Sequence, residues 1–228
     1  MAFFFTRIVR YVIFAVILFY AVQYFLRWKS YVISPKIFRT AATASLGANG
    51  ISSVNMLRNE LRRSYGQHII ESGWEAAYGG GLDLRINFLY MAPTEYIAVL
   101  HAPYRTSGFS GWHWSNSTCT VLNGEVVRIA YSAYVRNKET FKTGNNFRHG
   151  EFDRYTYEFS NESYLACYGR GAIQISSLWL GSGAIARGDP VSFAKILFMY
   201  MHRSMHEIGF SISKTAQHYK SKVMNTEL

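Results

Sequence analysis

The chain has 228 residues, with 24 Lys and Arg against 14 Asp and Glu, a formal net charge of +10. That length holds one membrane segment and one globular domain with its own core. Two cysteines exclude a disulfide framework. With no nucleic-acid motif and no basic run interleaved with aromatics, nucleic acid is not an expected partner, which leaves anionic lipid headgroups or partner proteins as the acidic counterpart.

Charge is uneven along the chain. The first acid is Glu60; before it come Arg7, Arg10, Arg27, Lys29, Lys36, Arg39 and Arg58. An acid-free, Arg-bearing start is typical of mitochondrial proteins, and a membrane anchor with basic flanks looks the same in any membrane. Ile8–Leu26 is apolar or aromatic apart from Arg10 and Gln23. At 1.5 Å per residue this stretch makes about 28 Å of helix, enough to cross a hydrocarbon core of roughly 30 Å. Arg10 can snorkel, and Tyr11, Tyr20, Tyr24 and Trp28 supply interfacial belts. Arg27-Trp28-Lys29 stands where a cleaved signal would place small residues, so the helix is read as a retained single-pass anchor. Basic residues flank both ends, so the charge rule assigns no orientation.

Ser34-Pro35 breaks the pattern, and Thr40–Gly50 reads as a small, polar linker. Ser52 or Ser53 is expected to cap a helix through Val54, Leu57 and Leu61 to Arg63. Gly79-Gly80-Gly81 then opens a β region. Ile86–Tyr90 and Tyr96–His101 read as buried strands; Glu125–Tyr134 and Tyr155, Tyr157, Phe159 alternate at period two. Asn123-Gly124 is a hairpin signal between two such runs. The high aromatic content, 17 Tyr and 16 Phe, suits a β-rich interior. Ala172–Ile185 is expected to be helical, and Asp189-Pro190 to start a second helix as cap and first residue. Its stripe of Val191, Phe193, Ile196, Leu197, Tyr200, Met201, Met205 and Ile208 suits either core packing or a membrane surface. From Lys214 the chain reads as a mobile polar tail.

Several blocks resemble, in order, the fungal sterol C8–C7 isomerase and sigma-1 receptor family. They are Glu60-Leu61-Arg62-Arg63 with His68, Thr94-Glu95-Tyr96, Ser110-Gly111 with Trp114, His149-Gly150, Glu158-Phe159, Tyr168-Gly169-Arg170-Gly171 and Arg203-Ser204. The resemblance spans roughly residues 50–212. It implies a mainly β fold with flanking helices: an anchor (1–30), a linker and helix (31–71), a cupin-like β-barrel (72–171), and two membrane-facing C-terminal helices with a polar tail (172–228). It also implies a greasy cavity for a sterol or amphiphilic amine, and trimerisation.

In that family a carboxylate stands at each of two central positions, where this chain has Cys119 and Cys167. A buried acid pair with split pKa values can deliver one proton to an alkene and remove another. A buried thiol can do neither, nor serve as counterion to an ammonium. The resemblance therefore implies a non-catalytic membrane protein. Its expected role is an accessory subunit of a larger assembly, with the mitochondrial inner membrane preferred and a respiratory or ATP-synthase complex as the type of partner. A sterol or lipid receptor of the endoplasmic reticulum is the alternative, and a sterol isomerase the third reading. No cofactor is expected beyond a sterol or phospholipid in the barrel.

Tyr96, His113, Trp114, His149, Phe159 and Tyr168 are expected on the cavity wall. The two thiols are expected close, facing and free, because longer Asp and Glu side chains meet across a gap that thiols fall short of. A Cys119–Cys167 disulfide, or a zinc site adding His113 and His149, stand as alternatives; hydrogen-bonded histidines without metal are preferred. Glu95 and Glu158 are read as bonding backbone donors or pairing with Arg, and Arg170 as supporting a turn or a subunit contact. Asn116-Ser117-Thr118 and Asn161-Glu162-Ser163 are glycosylation sequons, which a mitochondrial location would leave unused.

Overall fold

The computed structural model describes residues 2–131 and 136–224. Residues 132–134 of the expected strand Glu125–Tyr134 lie outside this set. Contacts divide the chain into two units, Met1–Val32 and Ile33–Leu228. The first holds helix α1 (Ala2–Trp28). Within it Arg7–Trp28 is long and apolar enough to cross a membrane, and no other helix among the described residues is.

In the second unit, α2 (Pro35–Ala44) and α3 (Gly50–Tyr65) precede ten strands among the described residues. The expected linker is corrected: it overlaps α2, whose Phe38, Ala41 and Ala42 are buried. The cap of α3 is also corrected. Asn49 takes that role, its side chain accepting from Ser52 N at 2.8 Å, while Ser53 Oγ accepts from Gly47 N.

Six strands pair in the order β1 (Glu75–Gly79), β2 (Leu82–Ala92), β3 (Glu95–Ala102), β10 (Ser163–Gly171), β5 (Ser115–Asn123) and β8 (Asn146–His149). Four more pair as β4 (Thr106–Phe109), β9 (Tyr155–Phe159), β6 (Glu125–Tyr131) and β7 (Arg136–Lys142). Every pairing is antiparallel. Asn123-Gly124 does join β5 to β6, with Gly124 at φ +81°. It makes no hairpin, because the two strands belong to different sheets; the turn carries the chain from one sheet to the other.

Side-chain alternation sorts the large sheet into two faces. Ile97 and Val99 of β3, with Ala166 and Tyr168 of β10, pack on Phe38, Val54, Leu57 and Leu61 of α2 and α3. The intervening residues face the second sheet, where Leu82, Leu84, Val121 and Leu165 meet Val126, Tyr157 and Phe159. The sheets thus enclose a barrel interior, with the helices α2 and α3 outside it.

Two helices close the barrel. In α4 (Ser176–Arg187), Trp179 lies against a platform of glycines: a Cβ on Gly79 or Gly111 would sit 2.4 Å from its ring. The indole N–H donates to Phe109 O at 3.0 Å. Asp189 caps α5 (Pro190–Met224) as expected, accepting from Ser192 N at 3.1 Å. The tail expected from Lys214 is instead a continuation of α5, which runs 35 residues. His68 Nδ1 lies 2.9 Å from Glu207 Oε2, which ties α5 to the turn after α3, and Tyr200 donates to Pro93 O at 3.1 Å, which ties it to the barrel. The stripe on α5 divides: Phe193, Ile196 and Tyr200 face the barrel, while Val191, Phe198, Met205 and Ile212 are exposed, as are Leu178 and Ile185 of α4.

Candidate functional site

Between the sheets and under α4 and α5 lies a cavity of about 430 Å³. The alternation that makes the core also lines the cavity. Leu84, Ile86 and Phe88 come from β2, and Tyr96, Ala98 and Leu100 from β3. Ser115, Ser117 and Cys119 come from β5, Tyr157 and Phe159 from β9, Leu165 and Cys167 from β10. His113 continues the parity of β5 just before the strand, and His149 ends β8. Among the described residues no Asp, Glu, Lys or Arg lines the cavity.

Cys119 and Cys167 are directly opposed on neighbouring strands, with Cα atoms 4.1 Å apart, and they form a disulfide. They are close and facing as expected, but they are not free. The expectation of free thiols assumed a gap to be spanned by longer side chains. In an antiparallel ladder, opposed residues already bring their β-carbons close together, so short side chains suffice. The bond also removes both thiolates from any zinc site. Among the described residues no three His, Cys, Asp or Glu are grouped to hold a metal ion.

Four expected wall residues, Tyr96, His113, His149 and Phe159, line the cavity. Tyr96 lies over Gly169, where a Cβ would come within 2.2 Å of its ring. Burial pushes its phenol up to about 12. Trp114 and Tyr168 do not line the cavity. Each follows or precedes a lining residue by one position, which turns it to the other face. Trp114 packs toward Phe152. Tyr168 points to the α2 side, its hydroxyl 2.9 Å from Glu95 Oε1 and 3.0 Å from Ile33 O. Glu95, almost fully buried there, also accepts from Ile33 N at 3.2 Å, in keeping with its expected role.

The two histidines form the polar end of the cavity, with ring centroids 5.8 Å apart. His113 Nε2 lies 2.5 Å from Ser110 O and Nδ1 2.9 Å from Ser176 Oγ. A carbonyl can only accept, so Nε2 carries the proton and Nδ1 receives the serine hydroxyl. Burial lowers the His113 pKa from its ordinary value. His149 Nδ1 lies 3.0 Å from the Tyr157 hydroxyl. Burial, reinforced by His113, pushes His149 down to about 4. Both rings are therefore neutral at pH 7, and the cavity wall carries no charge. Such a wall can seat an uncharged, largely apolar molecule and give it a few hydrogen bonds. It offers no counterion for an ammonium and no carboxyl acid for an alkene.

Tyr157 and Trp179 were not expected here. Tyr157 shares the parity of Phe159, a signal that could have found it. Trp179 is placed by the glycine platform, which the sequence order conceals.

The family model described as "ERG2 and Sigma1 receptor like protein" matches residues 9–209. The sigma non-opioid intracellular receptor 1 of Danio rerio is 25% identical over 158 residues, covering 67% of this chain and 70% of that protein. The receptor of the same name from Taricha granulosa is 25% identical over 194 residues, covering 80% and 86%. Among solved structures, an RmlC-like cupin from Shewanella frigidimarina aligns with TM-score 0.37 and 13% identity, covering 49% of this chain and 92% of that one. KdgF from Halomonas sp. aligns with TM-score 0.38 and 11% identity, covering 47% and 94%. With the match running through anchor, barrel and C-terminal helices, the chain belongs to the ERG2 and Sigma1 receptor like protein family.

Proposed function

We propose that the protein is a non-catalytic, receptor-like membrane protein whose barrel holds a neutral lipid. One observation carries the reading. A disulfide occupies the two positions where the family resemblance places carboxylates, and it faces an uncharged cavity. Moving a ring double bond needs an acid and a base near the operating pH; a disulfide is neither. The anchor α1 and the exposed apolar residues of α4 and α5 support attachment to a bilayer. Incubating the purified full chain with a Δ8-sterol tests the reading. No isomerised product is expected, and turnover would refute it.

Within that reading, the protein acts as an accessory subunit of a larger mitochondrial inner-membrane assembly. The net charge of +10 and the acid-free start support this placement. The disulfide supports a barrel on the oxidising side of its membrane. Blue-native migration far above a trimer supports the subunit role; migration as a bare trimer counts against it. A lipid receptor of the endoplasmic reticulum is the second reading, favoured by the disulfide, which suits an oxidising lumen, and by the receptor relatives.

A further inference from the structure

One atom of the cavity wall is unspent. His149 is 6% exposed, and its Nε2 has no hydrogen-bond partner. Among the described residues, it is the one buried side-chain nitrogen or oxygen lining the cavity that lacks one. A buried polar atom left unpaired carries its full desolvation cost. Buried polar groups in folded proteins are otherwise almost always satisfied. The orphan at the polar end of an apolar cavity thus marks the place of a ligand atom.

Its neighbours set which atom that is. On the far side of the ring, Nδ1 lies 3.0 Å from the Tyr157 hydroxyl, which can donate to it or accept from it. A ligand hydroxyl, which both donates and accepts, satisfies Nε2 whichever ring nitrogen carries the proton. An ammonium is a poor fit, because among the described residues no acid lines the cavity to balance its charge.

We propose that His149 is the specificity-determining anchor of the cavity, its Nε2 pairing with the hydroxyl of a neutral lipid whose apolar body fills the barrel. This rests on the reading of the barrel as a lipid holder and names the chemistry of its ligand. The cavity, about 430 Å³, lies within the usual range of roughly 300–1,000 Å³ for small-molecule sites.

The test uses the full chain in lipid nanodiscs and five probes. They are a 3-hydroxysteroid and oleyl alcohol, the parent hydrocarbon of each, and the 3-aminosteroid. The wild type is expected to bind an alcohol about tenfold tighter than its hydrocarbon, the equivalent of one hydrogen bond. His149→Leu is expected to erase that preference by weakening the alcohol alone. Preference in the steroid arm identifies a rigid-ring lipid, and preference in the oleyl arm a chain lipid. An alcohol preference that survives His149→Leu overturns the proposal, as does an aminosteroid binding as tightly as the hydroxysteroid. Binding without preference overturns the anchor but leaves the lipid holder standing; no binding of any probe overturns both. Should His149→Leu fail to fold, the wild-type imidazole ¹⁵N resonances decide. An Nε2 resonance that shifts with an alcohol and not with its hydrocarbon supports the anchor, and an unresponsive ring overturns it.

Discussion

Replacing Cys119 and Cys167 together by Ala removes a crosslink between residues 48 apart in sequence. A bridge of that span restricts the unfolded chain by about 4 kcal/mol at 25 °C in the loop-closure treatment. Residual structure in the unfolded ensemble reduces the effect, so a loss of roughly 2–4 kcal/mol is expected. For a domain of this size that is a drop in Tm of roughly 5–15 °C. Thermal unfolding of the detergent-solubilised chain, with and without reductant, measures the loss. Intact mass after maleimide labelling under denaturing conditions counts the thiols. The wild type should take label only after reduction, and reductant should lower its Tm to that of the double variant. Two labels without reduction, with a Tm indifferent to reductant, would refute the bridge and restore the reading of two free thiols.

Acid should weaken the fold through His149. Its folded pKa, about 4, lies below the ordinary 6.5, so the unfolded chain takes up the proton first as pH falls. Stability is full above about pH 6.5, falls by roughly 3 kcal/mol down to about pH 4, and levels off below. Denaturant midpoints across this range should show that limb in the wild type and a flatter one in His149→Leu; parallel curves would contradict it. Glu95→Ala leaves the buried Ile33 N–H without its acceptor and should cost about 1–3 kcal/mol. An unchanged denaturation midpoint would count against that role. The mitochondrial placement predicts an unmodified Asn161, although that residue is exposed on the turn between β9 and β10. An endoglycosidase-sensitive glycan there would move the barrel to the lumen of the endoplasmic reticulum.

Local pattern carried much of the fold. The apolar run of α1 and the Asp189-Pro190 start of α5 were legible because capping and hydrophobic length are properties of adjacent residues. Alternation made Tyr96 and Phe159 legible as wall residues. Strictly applied, it would also have removed Tyr168, which follows Cys167, and Trp114, which follows His113. What was not legible is pairing between distant strands. β10 lies between β3 and β5, and local pattern near Cys167 does not announce Cys119 opposite it; only the family resemblance brought the two together. The Asn123-Gly124 turn illustrates the same limit: its dipeptide reports a sharp reversal but not whether the next strand stays in the same sheet. The orphaned Nε2 of His149 is further still from sequence, because it depends on Tyr157 arriving from the other sheet to take the opposite ring nitrogen.

The central claim is a neutral cavity that holds a neutral lipid and performs no chemistry on it. Native mass spectrometry of the full chain released from its own membrane tests this most directly. The account predicts a single uncharged, oxygen-bearing lipid retained on the chain and recovered chemically unchanged. A chain that carries a cationic amine in its place, or that flies empty under conditions that keep it folded, would contradict it.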